Sequence, residues 1–174
     1  MRGLVVWLTG LPSSGKSTLA ERLAARLRES RCPAIVLDGD SVRESLVPRP
    51  GYSSEERDQF YETLSNLAAT LARQPIAVIV PATAHRRSFR ERARERSPAF
   101  VEVLVDASLD EVQARDAKGL YAKSEEGSIA GLPGANLPYE PPERPDVVAR
   151  GGLDERALDE LTRLVLWRAM GGAP

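Results

Sequence analysis

The chain has 174 residues, 42% of them hydrophobic, which suits one globular domain with a core that needs no covalent staples and leaves no room for a second. Formal charge is −1 and pI is near 6.0, so no overall positive field exists to hold a nucleic-acid backbone or an anionic membrane. The single cysteine, Cys32, excludes an intrachain disulfide framework and a cysteine-based zinc site, and fits a reducing, cytoplasmic setting.

The apolar run Leu4 to Leu8 predicts a buried first strand, too short for a signal-peptide core or a membrane span, so no targeting segment is expected. A helix is predicted over Lys16 to Arg28, a second strand over Ala34 to Leu37, and a long helix over Ser54 to Arg73. In that helix Phe60, Leu64, Leu67, Ala68 and Leu71 share one face. Strands follow at Ile76 to Val80 and Val101 to Val105, with Arg86 to Arg96 between them as an arginine-rich helix. Val147 and Val148 offer a fifth strand, and Asp154 to Trp167 a last amphipathic helix. Strands alternating with helices imply right-handed crossovers and a parallel sheet covered on both faces, an α/β three-layer sandwich. Between Lys118 and Pro145 glycines and prolines break every period, and a connection this long inside a compact chain predicts a functional lid, placed at 117–145.

After the first strand comes Gly10-Leu11-Pro12-Ser13-Ser14-Gly15-Lys16-Ser17, followed by Thr18. The pattern G-x-x-x-x-G-K-[ST] between a strand and a helix is the phosphate-binding loop, or P-loop. Its glycines let successive backbone N–H groups converge on phosphate oxygens, and the helix adds its positive end. Lys16 is expected to reach the β- and γ-phosphates of ATP, and the Ser17 hydroxyl to bind Mg2+. Of the 24 basic residues only Lys16, Lys118 and Lys123 are lysine, so a compact ammonium is used sparingly. A GTPase would carry N-K-x-D, but neither Asn66 nor Asn136 precedes a lysine. An ATPase motor would end a strand in acidic residues, whereas the third strand ends Val80-Pro81-Ala82. A small-molecule kinase remains.

The second strand runs into Leu37-Asp38-Gly39-Asp40-Ser41-Val42-Arg43, beside the P-loop. Asp38 is placed to accept a hydroxyl proton or to hold magnesium-bound water; Asp40-Ser41 also has the chemistry of a helix cap. Arg92, Arg94 and Arg96 interleave with Glu91 and Glu95 and predict an ion-paired, solvated helix face. Arg87 and Arg90, at the helix start, are candidates for an acceptor anion. His85 is expected to be a surface loop residue, and Trp7 and Trp167 to be core or interface residues.

These motifs together make the chain resemble the adenylylsulfate kinase family. The resemblance is carried by WLTGLPSSGKSTLA, LDGDSVR, YSSEERD, VDASLDEVQARDAKGLYAK and PYEPPERPD, which cover most of the chain in the family's order. It implies phosphoryl transfer from magnesium-ATP to the ribose 3′-hydroxyl of adenosine 5′-phosphosulfate. It assigns Asp38, Asp40, Arg43, Tyr52, Arg57, Lys118, Gly119, Leu120 and Leu132 to the acceptor side, Arg115 to the nucleotide side, and suggests a homodimer. Departures fall on the acceptor side: Val47 and Phe60 stand where the family carries Asn, Tyr52 and Leu132 where it carries Phe, and Ala84 where it carries a serine described as a phosphorylation site. Two other readings stand beside this one: a kinase of the same fold with another small anionic hydroxyl acceptor, and a catalytically inactive nucleotide-binding regulatory protein.

Overall fold

The computed structural model describes residues 1–116, 119–121 and 131–172. In chain order the elements are β1 (Leu4–Thr9), α1 (Lys16–Glu29), β2 (Ala34–Val36), α2 (Gly39–Ser45), α3 (Ser54–Leu71), β3 (Ala77–Pro81), α4 (Arg87–Arg96), β4 (Phe100–Val105), α5 (Leu109–Ala114), β5 (Val147–Ala149) and α6 (Glu155–Ala169). Five strands form one parallel sheet in the order β2-β3-β1-β4-β5. The predicted α/β sandwich is therefore the observed fold. The predicted strands and long helices recur with shifted ends, and α5 is an addition announced by its capping box, in which Ser108 and Glu111 satisfy each other's backbone N–H groups.

Two cores follow from the pleat of β1. Leu4, Val6 and Leu8 face α1 and α6, where Leu19, Leu23, Leu27, Leu158, Leu161 and Val165 close the layer. Val5 and Trp7 face the other way, onto Phe60, Leu64 and Ala68 of α3 and Phe89 and Ala93 of α4. Each fully buried leucine contributes roughly 1.5–3 kcal/mol by leaving water, so both faces are held by apolar burial. Trp7 is core and satisfies its indole N–H on the Ala82 carbonyl at 3.2 Å, whereas Trp167 is half-exposed near the end of α6.

Two expectations are corrected. The cap of α2 is Asp38, whose Oδ1 accepts the N–H groups of Asp40 and Ser41 at 3.0 and 3.1 Å; Asp40 lies within the first turn of the helix. The arginines of α4 are ion-paired, but across elements. Arg92 reaches Asp58 and Glu62, Arg96 reaches Glu62, and Arg94 reaches Glu102, so this face fastens α4 to α3 and β4.

Candidate active site

The P-loop leaves the central strand β1 and enters α1 through Gly15, whose φ of 98° only glycine adopts readily. Space also demands glycine here, since a Cβ on Gly15 would sit 2.4 Å from the Gly152 nitrogen. No side chain caps α1, so its first-turn N–H groups keep their direction toward an anion. The Ser14 hydroxyl is buried without a hydrogen-bond partner among the described residues. Lys16 folds over the loop, donating from Nζ to the carbonyls of Gly10 (3.0 Å) and Leu11 (2.7 Å).

A cavity of about 900 Å³ opens beside this loop at the C-terminal ends of β2 and β3. Its wall includes Pro12, Ser13, Gly15, Lys16, Ser17, Thr18 and Arg115. Asp38, Asp40, Arg43, Tyr52, Arg57, Leu120 and Leu132 also line it. The Ser17 hydroxyl donates to Asp38 Oδ2 at 2.9 Å, joining the P-loop to the end of β2. With Oδ1 held by two backbone N–H groups, the Asp38 carboxylate is fixed in orientation. This hydroxyl and carboxylate form an all-oxygen pair of the kind a hard divalent cation accepts together with substrate phosphates.

Arg57 ties parts of the cavity wall together. Arg57 donates from Nε to the Tyr52 carbonyl (2.8 Å) and from Nη2 to the Gly131 carbonyl (2.6 Å), linking the loop before α3 to the segment after 130. Burial pulls the Arg57 pKa below its ordinary value, with the nearby Arg43 charge acting the same way. Leu132 packs with Val112 and Tyr121 against Leu11 and Leu120. The Tyr121 hydroxyl, pushed up to about 12 by burial, donates to the Pro12 carbonyl at 3.2 Å.

Several expected site residues lie elsewhere. Gly10, Leu11 and Ser14 shape the P-loop without lining the cavity, and Gly119 takes a φ of 61° outside the lining. Arg90 is corrected from anion ligand to core residue: it is 1% exposed, and its guanidinium is spent on Glu102 and on the carbonyls of Ala84 and Glu140. Arg87 turns away to pair with Glu143. His85 is not a surface residue but 3% exposed, edge-on to Phe89, and its pKa falls to about 4 through burial and the charges of Arg57 and Arg86. Lys118 lies outside the described residues, as do Lys123 and positions 122–130 of the expected lid.

Other wall residues were not foreseen: Glu44, Arg49, Tyr61, Ala82, Thr83 and Gly131. Tyr61 accepts the Ala84 N–H at 2.9 Å, and Thr9 Oγ1 donates to the Thr83 carbonyl while meeting the Tyr139 hydroxyl at 3.0 Å. The consecutive glycines 151 and 152 after β5 were the available signal for the brace behind Gly15.

A P-loop on the central strand, facing a carboxylate and an arginine-lined cavity, defines a P-loop kinase. Residues 2–150 match the family model described as Adenylylsulphate kinase, and the chain belongs to that family. It is 42% identical over 165 residues to an adenylyl-sulfate kinase of Gloeothece citriformis, covering 95% of this chain and 93% of that one. It is 45% identical over 151 residues to one of Chloroflexus aurantiacus, covering 87% and 81%. A solved structure of the Mycobacterium tuberculosis APS kinase CysC in complex with AMPPNP and APS superposes with a TM-score of 0.84 at 35% identity, covering 98% of both chains.

Proposed function

We propose that this protein is an adenylyl-sulfate kinase, transferring the γ-phosphoryl group of ATP to the ribose 3′-hydroxyl of adenylylsulfate. The observation that carries the reading is the Ser17–Asp38 hydrogen bond, which brings the phosphate-binding loop and the acceptor carboxylate into one cavity. The P-loop amides and Lys16 hold the β- and γ-phosphates, and Lys16 exchanges its two loop carbonyls for phosphate oxygens. Asp38 orients the acceptor hydroxyl and takes its proton as the oxygen–phosphorus bond forms and the bond from γ-phosphorus to ADP breaks. Magnesium, when bound, would be held by Ser17 and Asp38 and would neutralise the phosphate oxygens. Arg43 and Arg57 face the anionic end of adenylylsulfate, and Tyr52 and Leu132 its base. Arg115 serves the nucleotide. Segment 117–145 acts as a lid, a role supported by the contacts of Tyr121 with Pro12 and of Gly131 with Arg57.

The test is to incubate the protein with magnesium-ATP and adenylylsulfate and to follow ADP and the 3′-phosphorylated product together. Equal amounts of both, with loss of both in Asp38→Asn, are expected. Bound ATP with no adenylylsulfate-dependent ADP would overturn the reading.

A further inference from the structure

Arg43 is 4% exposed and Phe60 3%, and both line the cavity. The guanidinium carbon of Arg43 lies 3.8 Å from the Phe60 ring centroid and 4.6 Å from that of Tyr52. Its Nη1 donates to the carbonyls of Pro50 (3.3 Å) and Gly51 (2.6 Å). Among the described residues no hydrogen bond uses its Nε or Nη2, so the backbone holds one corner of the fork while the Phe60 ring lies against its central carbon.

Phe60 is itself firmly seated. It projects from α3 two turns after the capping box of Ser53 and Glu56, and it meets Tyr61 edge-on at 5.3 Å. Tyr61 stacks on Phe89 of α4 at 4.5 Å. The guanidinium therefore rests on the end of a three-ring chain anchored in the core.

We propose that Phe60 is a positioning residue for acceptor recognition, holding the Arg43 guanidinium by its face so that its open edge meets the acceptor's anionic group. The inference rests on the reading of this cavity as the acceptor site. A flat cation against an aromatic face in a desolvated site is attracted to it and loses the freedom to tilt. The ordering of that side chain is then complete before the acceptor arrives, which favours acceptor affinity over the chemical step. Phe60 does not touch the reacting atoms; it acts through Arg43.

The experiment measures KM for adenylylsulfate and kcat at saturating magnesium-ATP for wild type, Phe60→Leu, Phe60→Met and Phe60→Tyr, each checked for folding by thermal melting. It repeats Phe60→Leu in an Arg43→Ala background. Phe60→Leu is expected to raise KM roughly tenfold with kcat within about twofold, Phe60→Met to follow it, and Phe60→Tyr to restore wild-type KM. With Arg43 already removed, the Phe60→Leu change is expected to leave KM within about twofold. An unchanged KM in Phe60→Leu and Phe60→Met, or the full effect without Arg43, overturns the proposal. A crystal structure of Phe60→Leu supplies a readout independent of turnover. Displacement of the Arg43 guanidinium supports the proposal, and a guanidinium in its original place overturns it. If wild type bound ATP but gave no turnover on adenylylsulfate, the kinase reading would fall and this structure alone would decide the role of Phe60.

Discussion

Arg90 Nε donates to Glu102 Oε1 at 2.8 Å, joining α4 to β4 where the arginine side chain is 1% and the glutamate 11% exposed. Because the same guanidinium also holds the carbonyls of Ala84 and Glu140, one buried cation fixes the exit of β3 and the segment after residue 139. Removing it leaves Glu102, among the described residues, with the half-exposed Arg94 as its one basic partner, and strands two carbonyls. Arg90→Met is expected to cost about 3 kcal/mol of stability. Urea unfolding checks this; a loss below about 1 kcal/mol would contradict the structural role.

Lys16→Ala is expected to leave the fold intact, because the ammonium bonds the loop carbonyls of Gly10 and Leu11 and the residue does not belong to either apolar core cluster. Turnover should fall by about a thousandfold or more, since charge stabilisation at the transferring phosphoryl group is lost. Circular dichroism and ADP release, measured side by side, check the pair of expectations. Residual activity within tenfold of wild type would remove Lys16 from the mechanism.

The low pKa of His85, about 4, carries a sign. The folded state keeps the imidazole neutral while the unfolded chain binds a proton below its ordinary value of 6.5. Stability from this group is therefore complete above pH 6.5 and declines as pH falls toward 4, by about 2 kcal/mol between pH 8 and pH 5. Charges facing the ring from other elements, Arg57, Arg86 and Arg90 against Glu140, set the same direction overall. His85→Phe should lose that part of the pH dependence, as read from denaturant midpoints at pH 8 and pH 5. A variant with the wild-type slope would show that other groups carry it.

Leu132 lines the same cavity as Tyr52 and gives it an aliphatic surface. An aromatic ring there would add stacking on an adenine worth about 1 kcal/mol, so Leu132→Phe should lower KM for adenylylsulfate by about fivefold. Titration of the acceptor at saturating magnesium-ATP tests it. A raised KM would mean that the base does not lie between these two side chains.

Gly152 backs the P-loop so closely that a Cβ would come within 2.6 Å of the Gly15 carbonyl and 2.7 Å of the Thr18 Cβ. Gly152→Ala is therefore expected to push the loop out of register and weaken ATP binding by about tenfold or more, with a smaller effect on acceptor binding. Calorimetric titration with ATP in the presence of magnesium would show it, and unchanged affinity would place the brace outside nucleotide binding.

What the sequence disclosed depended on whether a contact is local. Gly10 to Ser17 is one unbroken stretch, so its glycines and Lys16 announce their chemistry in order. Asp38 lies at the end of a recognisable strand and is legible for the same reason. The joints between Arg57 and Gly131, Thr9 and Tyr139, and Gly15 and Gly152 span long separations, and no period or motif pairs their members. Arg90 shows the other barrier. It occurs among arginines that are mostly at the surface, and only the placement of Glu102 on β4 distinguishes a core guanidinium from its neighbours.

The strand order β2-β3-β1-β4-β5 has an evolutionary corollary. The P-loop rises from the middle strand, Asp38 from the β2 edge, and the Gly151–Gly152 brace from the β5 edge, so the loop is met from opposite flanks of one sheet. Phe60 and Tyr61 line the cavity from α3, whereas Gly152 backs the P-loop from the far edge of the sheet. A lineage can retune what receives the phosphoryl group while inheriting its donor machinery unaltered.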